Sequence, residues 1–255
     1  MKSQSLMLAL ALAAALCATA AAQTWGNLKG RFVYDGAAPA AAPITITKEI
    51  EVCGKHKLVD ETVVVGEDGG LKNVAALLYL ADGESVPIHS SYEMLAKSPV
   101  ELDNKNCRFE PHVATIRVGQ TLLLKNSDPV GHNSKLDSFV NPGINPLIPP
   151  GASVEHKFAA AERFPVSVSC AIHPWMNAQV YVTDHPYAAV SGEDGTFEIK
   201  NLPAGKWTFL FRHETGYVQK VNWNGKGETW SKGRVEFTIN EGDNDMGEIK
   251  FKPEP

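Results

Sequence analysis

The chain has 255 residues and a formal net charge of −5. Such mild acidity argues against nucleic acid as a partner, because phosphates are neutralised by clustered Lys and Arg. The length suffices for one large or two small domains.

Residues 1–22 read as a secretory signal peptide. Lys2 gives a positive start, Leu6 to Leu16 is an apolar run, and Ala20-Ala21-Ala22 offers a small-residue cleavage site before Gln23. An uncleaved anchor is the competing reading, disfavoured because the Ala-rich run is short. No lipobox surrounds Cys17, since Leu16 stands where a small residue is needed. No later apolar run approaches membrane-spanning length. A soluble, exported chain of 233 residues is therefore expected, periplasmic or secreted, with no membrane span after signal cleavage.

Beyond Gln23 the sequence reads as strands and turns. "NLKGRFVY" alternates apolar and polar residues into the turn Asp35-Gly36, and a Pro/Ala-rich linker follows from Ala37 to Pro43. "ITITKEIEV", "TVVVG" and "VAALLYL" are strand candidates separated by Gly-containing turns. Only Ser91 to Ser98, "SYEMLAKS", has the look of a helix. "HVATIRVGQTLLLKNSD" is a strand pair hinged at Gly119-Gln120, and "FPVSVSC" and "AQVYVTD" alternate as strands. After Asp184 come two strong turns, Glu193-Asp194-Gly195 and Leu202-Pro203-Ala204-Gly205. The alternating residues Phe197, Ile199, Trp207, Phe209 and Phe211 around them suggest a second small sandwich.

Cys17 leaves with the signal, so Cys53, Cys107 and Cys170 remain, an odd number for an oxidising compartment. Cys53 and Cys107 are the sensible disulfide, because Cys170 has other company; two free buried thiols are the alternative. Closing that loop would stabilise the fold by about 4 kcal/mol on the chain-entropy model.

The company of Cys170 is "CAIHPWM", Cys170 to Met176, in which a thiol, an imidazole and a thioether recur at every third residue. Upstream, "NSDPVGHN" places His132 just past the apolar strand "TLLLKN". Two imidazoles and a thiolate with a weak axial thioether are the ligand set of blue-copper sites, which assigns His132, Cys170, His173 and Met176 to one copper ion. Pro174 stiffens the loop. Structural zinc prefers four Cys or His ligands, more than this neighbourhood supplies. Cys170 with His173 makes a poor hydrolytic dyad, since no orienting acid is evident. A chance meeting of a buried Cys, a surface His and a core Met is the bland alternative.

The C-x-x-H-x-x-M loop resembles the ligand loop of small cupredoxins such as amicyanin and pseudoazurin, and "HPWM" is especially similar to the amicyanin version. "GHN" resembles the first-ligand segment of plastocyanin. By that resemblance Asn133 ties the His132 loop to the Cys170 loop. His173 protrudes, with Pro174 and Trp175 around it, as the electron port. The wider pattern is similar to plastocyanin-like proteins labelled methylamine utilisation proteins. "GEDGTFEIKNLPAGKWTFLF" resembles the core of carboxypeptidase regulatory-like domains, small transthyretin-like sandwiches without catalytic residues. "NLKGRFVYDGAAP" has the flavour of that family's opening strand, so the chain ends are expected to pack together.

The expected fold class is all-β: a cupredoxin Greek-key sandwich plus a second, transthyretin-like sandwich. The expected organisation is a strand-rich extension over 23–104, a cupredoxin domain over 105–184 and the regulatory-like sandwich over 185–255. Among other histidines, His112 and His213 are weighed for metal roles, with structural or surface roles as the default. His185 is placed at the module boundary, and His56, His89 and His156 receive no role. The function implied is one-electron carriage by a single type 1 copper, with a c-type cytochrome or a dehydrogenase as redox partner. A copper-binding scaffold of the cell envelope is the alternative. A multicopper enzyme would need H-x-H clusters, which the sequence lacks.

Overall fold

The computed structural model describes residues 23–254, so the signal-peptide reading of residues 1–22 lies outside the described residues. The described chain is nearly all β and builds two sandwiches.

The central sandwich has two four-stranded sheets. One runs Ser153–Lys157, Thr121–Asn126, Val100–Lys105, Arg108–Glu110, with a parallel pairing between Val100–Lys105 and Thr121–Asn126. The other runs Val113–Arg117, Asn177–Thr183, Val166–Ser169, Lys135–Asp137, with Asn177–Thr183 parallel to Val113–Arg117. The alternation in sequence sets which face is buried, because successive side chains on a strand point to opposite sides. Leu122, Leu124 and Asn126 point inward from one strand, and Val166 and Val168 from another. They meet Leu102, Phe109, Ile116, Leu136, Phe158 and Val180 in one core.

The terminal sandwich takes strands from both ends of the chain. Its first sheet runs Thr196–Pro203, Trp25–Tyr34, Gly242–Phe251, Lys220–Trp223, Lys226–Thr229. Trp25–Tyr34 lies inside it, antiparallel to Thr196–Pro203 and parallel to Gly242–Phe251, so the two ends do pack together. The second sheet carries Ala188–Val190, Ala75–Tyr79, Gly205–His213 and Gly216–Tyr217, with Arg234–Ile239 also paired to Gly205–His213. The turn at Gly195 closes against the first sheet: Phe32 N–H donates to Gly195 O at 2.9 Å. With φ +77° and Phe32 O only 2.0 Å from where a Cβ would sit, no other residue fits there.

Four expectations change. The extension over 23–104 is no separate unit: Trp25–Tyr34 and Ala75–Tyr79 complete the terminal sandwich, and Val100–Lys105 belongs to the central one. A strand must pair its N–H and C=O groups; the partners of Trp25–Tyr34 and Ala75–Tyr79 lie far along the chain, whereas Val100–Lys105 pairs with the nearby Arg108–Glu110 and Thr121–Asn126. "ITITKEIEV" forms no strand; its end curls into the one-turn helix Ile50–Cys53, and Ile50 is exposed. "TVVVG" supplies only an isolated bridge, Val65 to Leu71, and the helix expected over 91–98 shortens to Tyr92–Leu95.

The segment 43–62 is a strap folded back on itself. Pro43 bridges Val59, and Ile44 N–H donates to Leu58 O at 3.0 Å. The Cys53–Cys107 disulfide fastens it to the central sandwich. Among the described residues Cys170 is the free cysteine, and it is buried.

Candidate metal centre

The site forms at one end of the central sandwich, where two strand ends and the segments that follow them converge. After Thr121–Asn126 the chain turns through residues 127–131 before the short strand His132–Asn133 pairs with Leu147–Ile148. The Asn126 side chain shapes that turn. Its Nδ2 donates to Val130 O and Ile148 O, each at 2.8 Å, and its Oδ1 accepts the Asp128 N–H at 3.0 Å. Cys170 ends the strand Val166–Ser169, and Met176 precedes the return strand Asn177–Thr183. Between them the chain closes a tight loop: Met176 N–H donates to His173 O at 2.9 Å, and Cys170 N–H to Met176 O at 3.3 Å. The even three-residue spacing therefore becomes a single turn.

These segments bring His132, Cys170 and His173 together as a buried potential metal-binding group. Cys170 Sγ lies 3.9 Å from His132 Nδ1 and 3.6 Å from His173 Nδ1. The two imidazole centroids are 4.4 Å apart. Met176 is buried and packs in the same core cluster as Cys170. Asn133 joins the two loops. Its Oδ1 accepts the N–H groups of Ala171 and Ile172 at 2.9 and 3.3 Å and lies 3.5 Å from Cys170 Sγ, while its Nδ2 donates to Asn145 at 2.6 Å. Two imidazole nitrogens, a thiol sulfur and a neighbouring thioether are a soft, mixed donor set that fits copper.

The electrostatics favour a thiolate. Burial pushes the Cys170 thiol up, but hydrogen bonds from His132 and His173, with help from the main chain, bring it down to about 5. Burial pushes His132 down, yet its bonds to Asp128 and Cys170 carry it up to about 9. A neighbouring cation and donor groups thus favour the thiolate of Cys170, the form in which a thiol binds metal.

Sequence reasoning missed Asp128. Its Oδ2 lies 2.9 Å from His132 Nε2, and its oxygens accept the N–H groups of Asn106 and Cys107 at 2.7 and 2.8 Å. Burial raises its carboxyl, but His132 and those two N–H groups hold it below the usual range. A carboxylate on the far ring nitrogen fixes which nitrogen faces the ligand set. The signal was available, since Asp128 sits in the same quoted segment four residues before His132. Cys107, Asp128 and His132 also lie within metal-binding distance of one another, but the Cys107 sulfur is committed to the disulfide.

His173 departs from expectation. It does not protrude: its side chain is 0% exposed, packed against the rings of His132 and Trp175. Its Nε2 is buried without a hydrogen-bond partner. Trp175 is half-buried because its Nε1 donates to Cys107 O at 3.0 Å, which draws the indole across the loop. Pro174 is exposed.

Three of the remaining histidines, His112, His185 and His213, lie near the junction between the sandwiches. His112 Nε2 lies 2.6 Å from Glu214 Oε2, and although burial lowers its pKa, Glu214 raises it above the ordinary value. His185 is buried with Nε2 3.1 Å from Leu78 O, at the boundary where the sequence placed it. His213 Nδ1 lies 3.1 Å from Thr215 Oγ1, and neither three-residue metal-binding group among the described residues includes it.

Two facing sheets of mixed pairing, with a buried His-Cys-His group at one end and Met176 in the adjoining core, define a cupredoxin-like sandwich. No protein-family model matches the chain, and no curated protein matches it. Solved structures that do match include a mutant amicyanin in its Cu(I) form, at 20% identity over 42% of this chain and 98% of that one, TM-score 0.31. A purple cupredoxin from Nitrosopumilus maritimus matches at 26% identity over 34% of this chain and 100% of that one, TM-score 0.29. A copper-containing nitrite reductase from Thermus scotoductus SA-01 matches at 19% identity over 42% of this chain and 25% of that one, TM-score 0.31. Among the described residues no helix is long and apolar enough to cross a membrane.

Proposed function

We propose that the chain is an exported blue-copper protein that carries single electrons, with His132, Cys170, His173 and Met176 holding one type 1 copper. The observation that carries this reading is the convergence of both imidazole Nδ1 atoms on the buried Cys170 sulfur. Copper, when bound, supplies a one-electron couple. The chain's part is to keep the ligands still. Asp128 orients His132, Asn133 clamps the two loops, and the Met176–His173 and Cys170–Met176 backbone bonds hold the turn. A ligand set already gathered by protein hydrogen bonds moves little between oxidation states, which keeps reorganisation small.

The redox partner, a c-type cytochrome or a dehydrogenase, would approach the loop at Pro174 and Trp175, because these reach the surface and His173 does not. The terminal sandwich, with its "GEDGTFEIKNLPAG" turn, is read as a non-catalytic carboxypeptidase regulatory-like module. The full burial of His173 favours a second reading, copper binding within an envelope scaffold, because it sets the ligand back from any partner.

Absorption and EPR spectra of copper-loaded protein test the site. An intense thiolate-to-copper band, absent in Cys170→Ala, is expected; a wild-type protein without the band refutes the type 1 assignment. Electron exchange with a c-type cytochrome separates the two readings, since a scaffold would show none.

A further inference from the structure

Copper must reach a Cys170 that is sealed from the loop side, where His173 is fully buried. A cleft of about 260 Å³ lies between the strap and the central sandwich, with Trp175 and Met176 of the loop in its wall. Its lining includes Met176, Trp175, His112, Asp60, Glu61 and Arg108. Met176 therefore belongs both to the cleft wall and to the core cluster that contains Cys170. We propose that this cleft is the path by which a copper ion enters, with His112 as its transient ligand on the way to Met176 and the Cys170 site. The proposal rests on the copper reading above.

His112 has the right form for that role. It is 92% buried, being 8% exposed, and its Nε2 is committed to Glu214 at 2.6 Å. Its Nδ1 makes no well-formed hydrogen bond; its neighbour there is the Asn177 main chain, which adds to the rise in its pKa. A buried polar atom without a well-formed hydrogen bond is costly unless something visits it. The pair repeats the arrangement at the metal centre, where Asp128 takes Nε2 of His132 and leaves Nδ1 facing Cys170. A carboxylate on the far nitrogen makes the near nitrogen a better metal donor.

The other charged groups in the wall are two carboxylates, Asp60 and Glu61, and two cations, Arg108 and Lys57. Asp60 and Glu61 bring carboxylates from the strap, and the charge of Arg108 is matched by Glu110 at 2.7 Å and Glu61 at 3.2 Å. Imidazole followed by thioether is a donor sequence of increasing softness, which copper tolerates in both oxidation states. The described residues near His112 do not form a three-ligand group.

The test is the rate at which copper(II) sulfate develops the thiolate-to-copper band in stopped flow, using the full chain. His112→Gln should slow uptake by about tenfold, the size of effect seen when a group supporting a metal site is lost, while reaching the same final spectrum. Glu214→Gln keeps the imidazole, should slow uptake less, and serves where His112→Gln fails to fold. A purely structural role for His112 predicts the opposite sign, since a looser junction would leave uptake unchanged or make it faster. Uptake in both variants at the wild-type rate or above overturns the path and leaves the copper reading intact. A wild-type protein that never develops the band overturns both.

Discussion

The two sandwiches fill their interiors differently. In the terminal one, Phe32, Phe197 and Phe211 stack within 5.3 to 5.7 Å of one another, and Trp230 lies 5.3 Å from Phe211. The central one is apolar through most of its depth but buries Asn104, Asn126, Asp128, His132, Asn133, Ser134 and His173 around the site. Aromatic rings contribute stability largely through the apolar area they bury. A buried polar cluster is stable only when its members satisfy one another, so it fixes geometry at the expense of stability. The contrast is between one sandwich packed by apolar rings and another that gathers the candidate site.

If that contrast is right, Cys170→Ala has the largest functional effect and a small structural one. The blue band and tight copper binding should vanish while the apoprotein still unfolds cooperatively near the wild-type midpoint, as read by circular dichroism. The mirror experiment is Phe211→Ala in the terminal sandwich. Truncating this fully buried ring should cost about 3–5 kcal/mol in denaturant unfolding while the spectrum of the folded fraction is preserved. A spectrum that changes with Phe211 would show the two sandwiches to be coupled more closely than their cores suggest.

Acid sharpens the contrast next. Burial holds His213 down to about 4, against an ordinary 6.5, so the unfolded chain takes up its proton first. Its stabilising neutrality is complete above pH 6.5 and is lost as pH falls towards 4. The loss should approach about 3 kcal/mol and be absent from His213→Gln, measured by denaturant titration across that range. Asp128→Asn is the most local change. Copper affinity should fall by about 10–100-fold and the reduction potential rise, because His132 becomes a weaker donor; competition with a chelator and a spectroelectrochemical titration measure the two.

The candidate donors were legible because "CAIHPWM" is local: one tight turn holds Cys170, His173 and Met176 close in the chain. His132 was legible because it follows an apolar strand, and the disulfide because Cys170 was otherwise engaged. Asp128 was passed over although it stood in the same segment, since its value lies in a hydrogen bond and not in a spacing. The extension over 23–104 was misread for a different reason. Alternation in "NLKGRFVY" says that a strand exists and which face is buried, but nothing about the strand beside it.

Residue type and short spacing by themselves pointed to the β class, the free thiol and the Cys170-His173-Met176 loop, because these depend on groups no more than a few bonds or one turn apart. Tertiary structure alone decided that the chain ends form one sheet, that the disulfide fastens a strap, and that His173 is covered. Each of those depends on which distant surfaces exclude water together, and burial is a property of the assembled molecule that no segment carries alone.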